Sequence, residues 1–261
     1  MKTRIISGLC MVPLLAVVYF GSYPLIAACI LVGFIGVREL FRGFEAMDIH
    51  PSYKIAYVFL FILYTLNCFF PLEHEYIIAW LVFGVMASSM YMFKINERKI
   101  EDALATMLGL VYVIFFSFHV VLVDQTGPYS ILIWLVLLSA FGTDIFAYFT
   151  GVFLGKHKLC PNLSPKKTIE GAVGGVLGSV ICCGLFAHFF APFLMVHALI
   201  IGLIASILSM CGDLTASAYK RKMGIKDYGN LIPGHGGILD RFDSVLFTAP
   251  VVYYYIVFVL M

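Results

Sequence analysis

The stretch CGDLTASAYKRKMGIKDYGNLIPGHGGILDRFDS, residues 211–244, is rich in glycine and carries charges of both signs. It holds the consecutive basic residues Lys220, Arg221 and Lys222 and four aspartates, and long apolar runs flank it on both sides. Such a segment between two hydrophobic spans costs free energy unless it lines a wet site. The flanking apolar runs therefore indicate a membrane fold, and the polar stretch is the part of the chain that we expect to carry the function.

The composition of the whole chain supports a membrane location. Of the 261 residues, 62% are hydrophobic and 12% are charged, whereas roughly a quarter of the residues in soluble domains are charged. The mean hydropathy is +0.98. The seven cysteines include no C-x-x-C pair, which favours small buried apolar residues over a disulfide framework or a zinc site. These values predict an integral membrane protein without a nucleic-acid partner.

Nine apolar runs are candidate membrane spans, because about 20 helical residues cross a hydrocarbon core of about 30 Å. They cover residues 5–20, 25–37, 55–70, 76–93, 104–123, 129–154, 169–191, 193–212 and 245–261. The first two are short, so a broken re-entrant hairpin is an alternative for them. Arg38, Glu39, Arg42 and Glu45 have the spacing of one helix face, which predicts that the second helix extends into water.

The basic residues predict the orientation of these spans, since Lys and Arg near span ends accumulate on the cytoplasmic side. With the N-terminus inside, all 17 Lys and Arg residues fall in cytoplasmic segments. We therefore predict an all-α, polytopic bundle of about nine transmembrane helices with a cytoplasmic N-terminus and the C-terminus on the opposite side. Residues 1–130 form five spans, and residues 131–261 form a catalytic region with cytoplasmic loops 155–170 and 213–243; the two can also form one domain.

Two segments before the opening stretch carry polar groups toward the cytoplasmic side. Asp144 lies roughly 22 Å along its span from Tyr129, and intramembrane carboxylates are usually functional. The cluster Ser164-Pro165-Lys166-Lys167-Thr168 directly precedes a predicted helix. Its ammonium and hydroxyl groups, with the first amides of that helix, are suited to phosphate oxygens.

Within residues 211–244, the aspartates have the spacing of shared helix faces. Asp213 and Ser217 are four residues apart, and Asp240 and Asp243 are three apart. Carboxylates from separate helices beside phosphate-binding Lys and Arg residues form a plausible magnesium site. The segment 234–237, Gly-His-Gly-Gly, allows backbone amides to approach a polyphosphate, and His235 can donate a hydrogen bond to it.

Two alternatives account for part of this pattern. The same carboxylates can line an ion or substrate pathway, although the chain shows no internal repeat of the kind found in many transporters. The basic surface can also bind anionic lipid headgroups, but that does not explain the paired aspartates. The clustering of lysines with aspartates on one membrane face favours a bound, metal-chelated nucleotide.

The polar residues of the stretch also carry a family resemblance. The pattern Ser217-x-x-Lys220-Arg221-x4-Lys226-Asp227-x-Gly229-x3-Pro233-x-His235-Gly236-Gly237-x-x-Asp240-Arg241-x-Asp243 resembles the signature of the phosphatidate cytidylyltransferase (CDP-diacylglycerol synthase) family. Two upstream motifs are also similar to that family: Asp144-x-x-Ala147-Tyr148 and Ser164-Pro165-Lys166-Lys167-Thr168-x-Glu170-Gly171.

The resemblance implies a magnesium-dependent reaction of CTP with phosphatidic acid, by a homodimer. From the placement of the basic residues we expect the reaction at the cytoplasmic face, and we expect a bacterial inner membrane as the location. It implies Asp213 and Asp240 as metal ligands, with Asp144 as a further or outer ligand. The expected catalytic residues are Asp213, Asp240, Asp144, Lys167 and Ser217. The expected substrate-binding residues are Ser164, Lys166, Lys167, Thr168, Lys220, Arg221, Lys226, His235, Gly236, Gly237 and Arg241. A CTP-dependent lipid kinase, or a cytidylyltransferase acting on another lipid phosphate, is the alternative.

Overall fold

The computed structural model describes residues 12–71, 75–231 and 236–261. The chain divides into two compact units. The first unit comprises Met1–Val121 and Lys222–Arg241, and the second comprises Leu122–Arg221 and Phe242–Met261. The predicted boundary after residue 130 stays a prediction.

The described residues are mainly helical. The helices are α1 (Val12–Phe20), α2 (Ser22–Glu45), α3 (Tyr53–Phe69), α4 (Glu75–Met90), α5 (Ile100–Asp124), α6 (Ile133–Leu154), α7 (Ile169–Phe190), α8 (Met195–Lys222) and α9 (Leu239–Tyr255). Helix α5 contains a π-helical segment, Gly109–Phe115, and a second π-helical segment, Ile256–Leu260, follows α9. Short 3-10 turns follow α4 and precede α6 and α8.

The predicted all-α polytopic membrane fold is confirmed. In the described part of the chain, seven helices, taken with their short extensions, are long and apolar enough to cross a membrane, and α3 is apolar but shorter. The first predicted span, 5–20, lies partly outside the described residues. The total of nine spans and the orientation of the termini therefore stay predictions.

Three helices extend beyond the apolar runs that predicted them. Helix α2 continues to Glu45, α8 continues to Lys222, and α9 begins at Leu239. Hydropathy marks where side chains leave the lipid, whereas the backbone hydrogen bonds of a helix do not depend on side-chain polarity. As a result Ser217, Lys220 and Arg221 lie on α8, and Asp240 and Asp243 lie in the first turns of α9.

A small β-hairpin is the one departure from the all-α prediction among the described residues. Strands β1 (Lys158–Cys160) and β2 (Ser164–Thr168) pair antiparallel, with Lys158 opposite Thr168 and Cys160 opposite Ser164. The loop predicted between the sixth and seventh spans is thus an ordered hairpin. It leads directly into α7, which begins at Ile169.

In the first unit, aromatic and aliphatic side chains of α2, α3, α4 and α5 form the core. Phe41 is fully buried and meets the ring of Tyr53 edge-on, with 5.2 Å between the ring centroids. Asp102, which is 1% exposed, caps the start of α5. Its carboxylate accepts hydrogen bonds from the backbone amides of Lys99 at 2.9 Å and His50 at 2.6 Å. The carboxylate therefore connects the segment before α3 to the N-terminus of α5.

In the second unit, a glycine face on α7 packs against α6. A Cβ atom on Gly171 would lie 2.8 Å from the Ala147 carbonyl oxygen, and one on Gly175 would lie 2.9 Å from the Thr143 carbonyl oxygen. A Cβ atom on Gly178 would overlap the ring of Phe146. Small residues allow helices to approach this closely in a membrane, where dispersion contacts replace the hydrophobic effect.

We expect Gly178→Ala to lower the thermal unfolding temperature of the purified protein in detergent, because the new methyl group overlaps Phe146. Overpacking of this kind typically costs about 1–3 kcal/mol. The control is Gly142→Ala on α6, where a Cβ atom would lie 4.0 Å from the nearest atom, the Ser179 Cα. Equal unfolding temperatures for the two variants would contradict the close packing described here.

Candidate functional site

A cavity of about 480 Å³ lies within the second unit. Its walls come from α6, the β-hairpin, the start of α7 and the C-terminal half of α8. The residues lining it are Asp144, Ala147, Tyr148, Gly151, Val152, Lys158, Leu159, Lys166, Lys167, Thr168, Gly171, Ala172, Met210 and Asp213. Three lysines and two aspartates therefore face a space whose remaining lining is largely apolar.

An ion pair between Lys167 and Asp213 joins the hairpin to α8 at the wall of this cavity. Both side chains are about one-quarter exposed, at 27% for Lys167 and 24% for Asp213. On the same face of α8, the Ser217 hydroxyl donates a long, 3.5 Å hydrogen bond to Asp213 Oδ1. The structure thus brings together three of the predicted catalytic residues, Lys167, Asp213 and Ser217.

A buried third carboxylate, Asp243, lies near this pair. It is 6% exposed and interacts electrostatically with Asp213, Asp144 and the ammonium group of Lys220. Close approach of α8 to α9 brings it there, because a Cβ atom on Gly212 would lie 2.7 Å from the Asp243 carbonyl oxygen. Asp243 is the last residue of the signature quoted above, for which the resemblance implies a supporting role, either holding Arg241 or orienting the metal ligands; that role stays a prediction.

The base of the hairpin is held by two capping groups at the start of α7. The Thr168 hydroxyl accepts a 3.1 Å hydrogen bond from the Gly171 amide, so Thr168 is the N-cap of α7. Glu170 accepts hydrogen bonds from the backbone amides of Lys156 at 3.0 Å and His157 at 3.2 Å, and it also contacts the His157 ring nitrogen Nδ1 at 2.6 Å. The two caps fix the direction in which β2 presents its lysines.

Asp240 lies in the first unit, where its carboxylate organises the segment before α9. Its Oδ2 accepts hydrogen bonds from the amides of Tyr228 at 2.8 Å and Gly237 at 2.9 Å. Gly236, with φ of 85°, has a backbone conformation that favours glycine. In this structure the amide of Gly237, expected to face a phosphate, is directed at Asp240.

The other predicted binding residues differ in exposure. Arg221 and Lys226 are exposed, Lys220 and Arg241 are half-buried, and Ser164 is half-buried at the start of β2. His235 lies outside the described residues. The substrate-binding roles of these residues stay predictions.

One prediction about α2 is wrong. Glu39 was expected to lie on a solvated extension of the helix, but it is 5% exposed. Its Oε1 accepts a 3.0 Å hydrogen bond from the Ile238 amide, and its Oε2 accepts a 2.7 Å hydrogen bond from the Leu239 amide. The partners lie about 200 residues away in the sequence, so helical spacing alone carried no signal for this contact.

The carboxylates predicted as metal ligands are chemically suitable for a magnesium ion. Carboxylate oxygens are hard ligands of the kind that Mg²⁺ prefers, and Mg²⁺ usually completes its shell with water and substrate phosphates. Over residues 12–71, 75–231 and 236–261, no group of three or more His, Cys, Asp or Glu side chains is placed to hold a metal ion. The donors fit an arrangement in which one or two protein carboxylates and the oxygens of the substrate bind the ion together.

Comparison with known proteins gives consistent matches over the full length. A sequence profile described as "Cytidylyltransferase family" matches residues 2–259. Proteins named phosphatidate cytidylyltransferase from Synechocystis sp. and Bacillus subtilis are 34% and 31% identical, and each alignment covers at least 97% of both chains. A protein of the same name from Thermotoga maritima is 33% identical over 97% of this chain and 95% of its own length.

We expect Thr168→Val to destabilise the protein by about 1 kcal/mol, the usual effect of losing an N-cap hydroxyl. Thr168→Ser keeps the oxygen that accepts from Gly171 and is the matched control. Thermal unfolding in detergent micelles compares the two. If Thr168→Val unfolds at the same temperature as Thr168→Ser, the cap does not contribute to stability.

Proposed function

The chain belongs to the cytidylyltransferase family, and from this membership and the charged cavity of the second unit we propose that it transfers CMP from CTP to phosphatidic acid. The products are CDP-diacylglycerol and pyrophosphate. One observation carries the proposal beyond the family: Lys158, Lys166 and Lys167 line an otherwise largely apolar cavity together with Asp144 and Asp213. This combination suits a molecule that is polyanionic at one end and a lipid at the other.

The reaction needs positioning and charge neutralisation more than activation of a nucleophile. A phosphate oxygen of phosphatidic acid attacks the α-phosphorus of CTP, and the bond from that phosphorus to the oxygen bridging to the β-phosphate breaks. The electron pair leaves with pyrophosphate. A phosphate monoester is already largely ionised at neutral pH, with a second pKa of about 6. The protein must therefore align the two phosphates and stabilise the charge on the leaving group.

Lys167 is the residue best placed to do this. It lines the cavity, and its ammonium group is held at the wall by Asp213. A lysine kept in position by a carboxylate loses less side-chain freedom when it binds a phosphate. Lys158 and Lys166 on the same hairpin supply further positive charge.

The remaining assignments are proposed on the family resemblance. Lys220, Arg221, Lys226 and Arg241 bind phosphates, and Ser164, Ser217 and His235 orient the substrates. Thr168, Gly236 and Gly237 also belong to the substrate-binding set; for Thr168 and Gly237, the structure adds the capping and Asp240 contacts described above.

We also propose that the enzyme uses Mg²⁺. Asp213 and Asp240 are the proposed ligands, with Asp144 as an additional one, and Asp243 supports Asp213. When bound, the ion supplies positive charge to the phosphate oxygens. Asp213 is accessible from the cavity, and Asp240 keeps its carboxylate oriented through two backbone amides.

The proposed function also concerns the location of the protein and its oligomeric state. The structure is that of an integral membrane protein, and we propose a bacterial inner membrane with the active site facing the cytoplasm, where CTP is found. Acyl chains remain in the leaflet while the phosphate headgroup meets the nucleotide. We further propose a homodimer, as the family resemblance implies.

CTP labelled at the α-phosphate tests the reaction. With purified protein and phosphatidic acid in detergent micelles, we expect label in the lipid product and unlabelled pyrophosphate, and a chelator should abolish transfer. A CTP-dependent lipid kinase would instead place label from the γ-phosphate in the lipid. Label confined to soluble nucleotide would refute the proposal. Micelles hold no transmembrane gradient, so turnover there also argues against a transporter.

We expect Lys167→Met to lower kcat by about 10²–10³-fold, the effect of removing one donor that stabilises charge in the transition state. The control is Lys156→Met, which removes an exposed lysine near the hairpin and leaves intact the backbone amide bound to Glu170. Steady-state assays of the two variants provide the comparison. Equal rates would show that Lys167 does not contact the reacting phosphates.

A further inference from the structure

Glu39 is a buried carboxylate in the first unit that the proposed mechanism does not use. It lies on α2 and is 5% exposed. Its two oxygens accept hydrogen bonds from Ile238 and Leu239, the amides at the N-terminus of α9. The first amides of a helix have no partner within the helix and carry partial positive charge. Glu39 therefore caps α9 from a helix about 200 residues earlier in the sequence.

Two glycines of the signature pack directly against this carboxylate. A Cβ atom on Gly229 would lie 2.5 Å from Glu39 Oε1. A Cβ atom on Gly237 would overlap both Glu39 oxygens. The absence of side chains at these two positions is therefore required by Glu39, because a methyl group at either position would occupy the space of its carboxylate.

Gly237 also connects Glu39 to Asp240. Its amide donates to Asp240 Oδ2, while its Cα packs on the Glu39 carboxylate. Glu39 and Asp240 also interact electrostatically, and Arg42 contributes positive charge nearby. The orientation of Asp240 thus depends on a short backbone segment that is held between two carboxylates.

A cap alone does not require a charge, since the hydroxyl of Ser or Thr or the amide oxygen of Asn serves at most helix N-termini. A second negative charge beside Asp240 does have a consequence for ligand binding. Like charges repel, so the pair gains more from a bound cation than Asp240 would gain alone. The buried carboxylate is stabilised by two backbone amides and the helix N-terminus, which makes its charge tolerable.

We propose that Glu39 is a positioning residue for Asp240: it fixes the first turn of α9 and strengthens cation binding at the Asp240 carboxylate. The inference rests on the proposed function, in which Asp240 is a magnesium ligand. Glu39 acts through Gly237 and α9 and does not itself contact the substrates.

Glu39→Gln tests this inference, because it keeps the side-chain volume but removes the charge and one acceptor. The matched control is Asp102→Asn. Asp102 is also buried and also accepts two backbone amides, but these belong to His50 and Lys99. Binding of Mn²⁺, measured by electron paramagnetic resonance on the detergent-purified protein, serves as a readout that does not depend on turnover. The Mg²⁺ dependence of turnover is measured alongside.

We expect Glu39→Gln to weaken Mn²⁺ binding about tenfold, within the range for groups that orient metal ligands. The Mg²⁺ concentration for half-maximal rate should rise by a similar factor, with less than about a twofold change in KM for phosphatidic acid at saturating Mg²⁺. Asp102→Asn should lower the unfolding temperature without changing either metal response. Glu39→Asp, which restores the charge on a shorter side chain, should recover part of the Mn²⁺ affinity.

An unchanged Mn²⁺ affinity in Glu39→Gln, or an equal loss in Asp102→Asn, would overturn the inference. If Glu39→Gln does not fold, Gly229→Ala replaces it, because the new methyl group displaces the Glu39 carboxylate. The same criteria then apply to Gly229→Ala. Failure of the proposed function is separate, since it would appear in the wild-type protein as the absence of α-label in the lipid.

Discussion

Carboxylates that each accept two backbone amides hold the polar segments of this structure together. Glu39 accepts from residues 238 and 239, Asp102 from residues 50 and 99, Glu170 from residues 156 and 157, and Asp240 from residues 228 and 237. Backbone groups at helix ends need partners, and a carboxylate offers two acceptor oxygens at once. The connections that contain residues 50, 156–157 and 228–238 are thereby joined to the starts of α5, α7 and α9.

This arrangement also determines which acidic residues are available for chemistry. The chain contains 15 Asp and Glu residues, and several buried ones already accept backbone amides. Asp213 differs because it pairs with two side chains, the ammonium group of Lys167 and the hydroxyl of Ser217. An ion pair between two side chains can exchange one partner for a substrate oxygen, whereas a pair of backbone amides holds a carboxylate in place. The second unit thus keeps the Asp213 carboxylate available to a ligand.

Much of the fold and part of the site could be predicted from the sequence. Apolar runs predicted the helices because crossing a membrane requires a continuous hydrophobic segment. The Lys167–Asp213 pair and Asp144 lie at one cavity. The clustering of charged residues in the sequence predicted that these residues lie close together. Glu39 could not be predicted, because its contact with α9 depends on the folding of distant segments. The hairpin was missed for a related reason: its strands are three and five residues long, too short to show a periodic pattern.

The glycine seam between α6 and α7 has a consequence for substrate selection. Gly151, Gly171, Ala147 and Ala172 line the cavity where these helices meet, and a Cβ atom on Gly171 would lie 3.2 Å from the Gly151 Cα. A wall of backbone and methyl groups has no rotatable side chains, so its width cannot adapt to different ligands. The width of this part of the cavity is set by helix spacing, and adjustment is left to longer side chains such as Tyr148 of α6 and Met210 of α8.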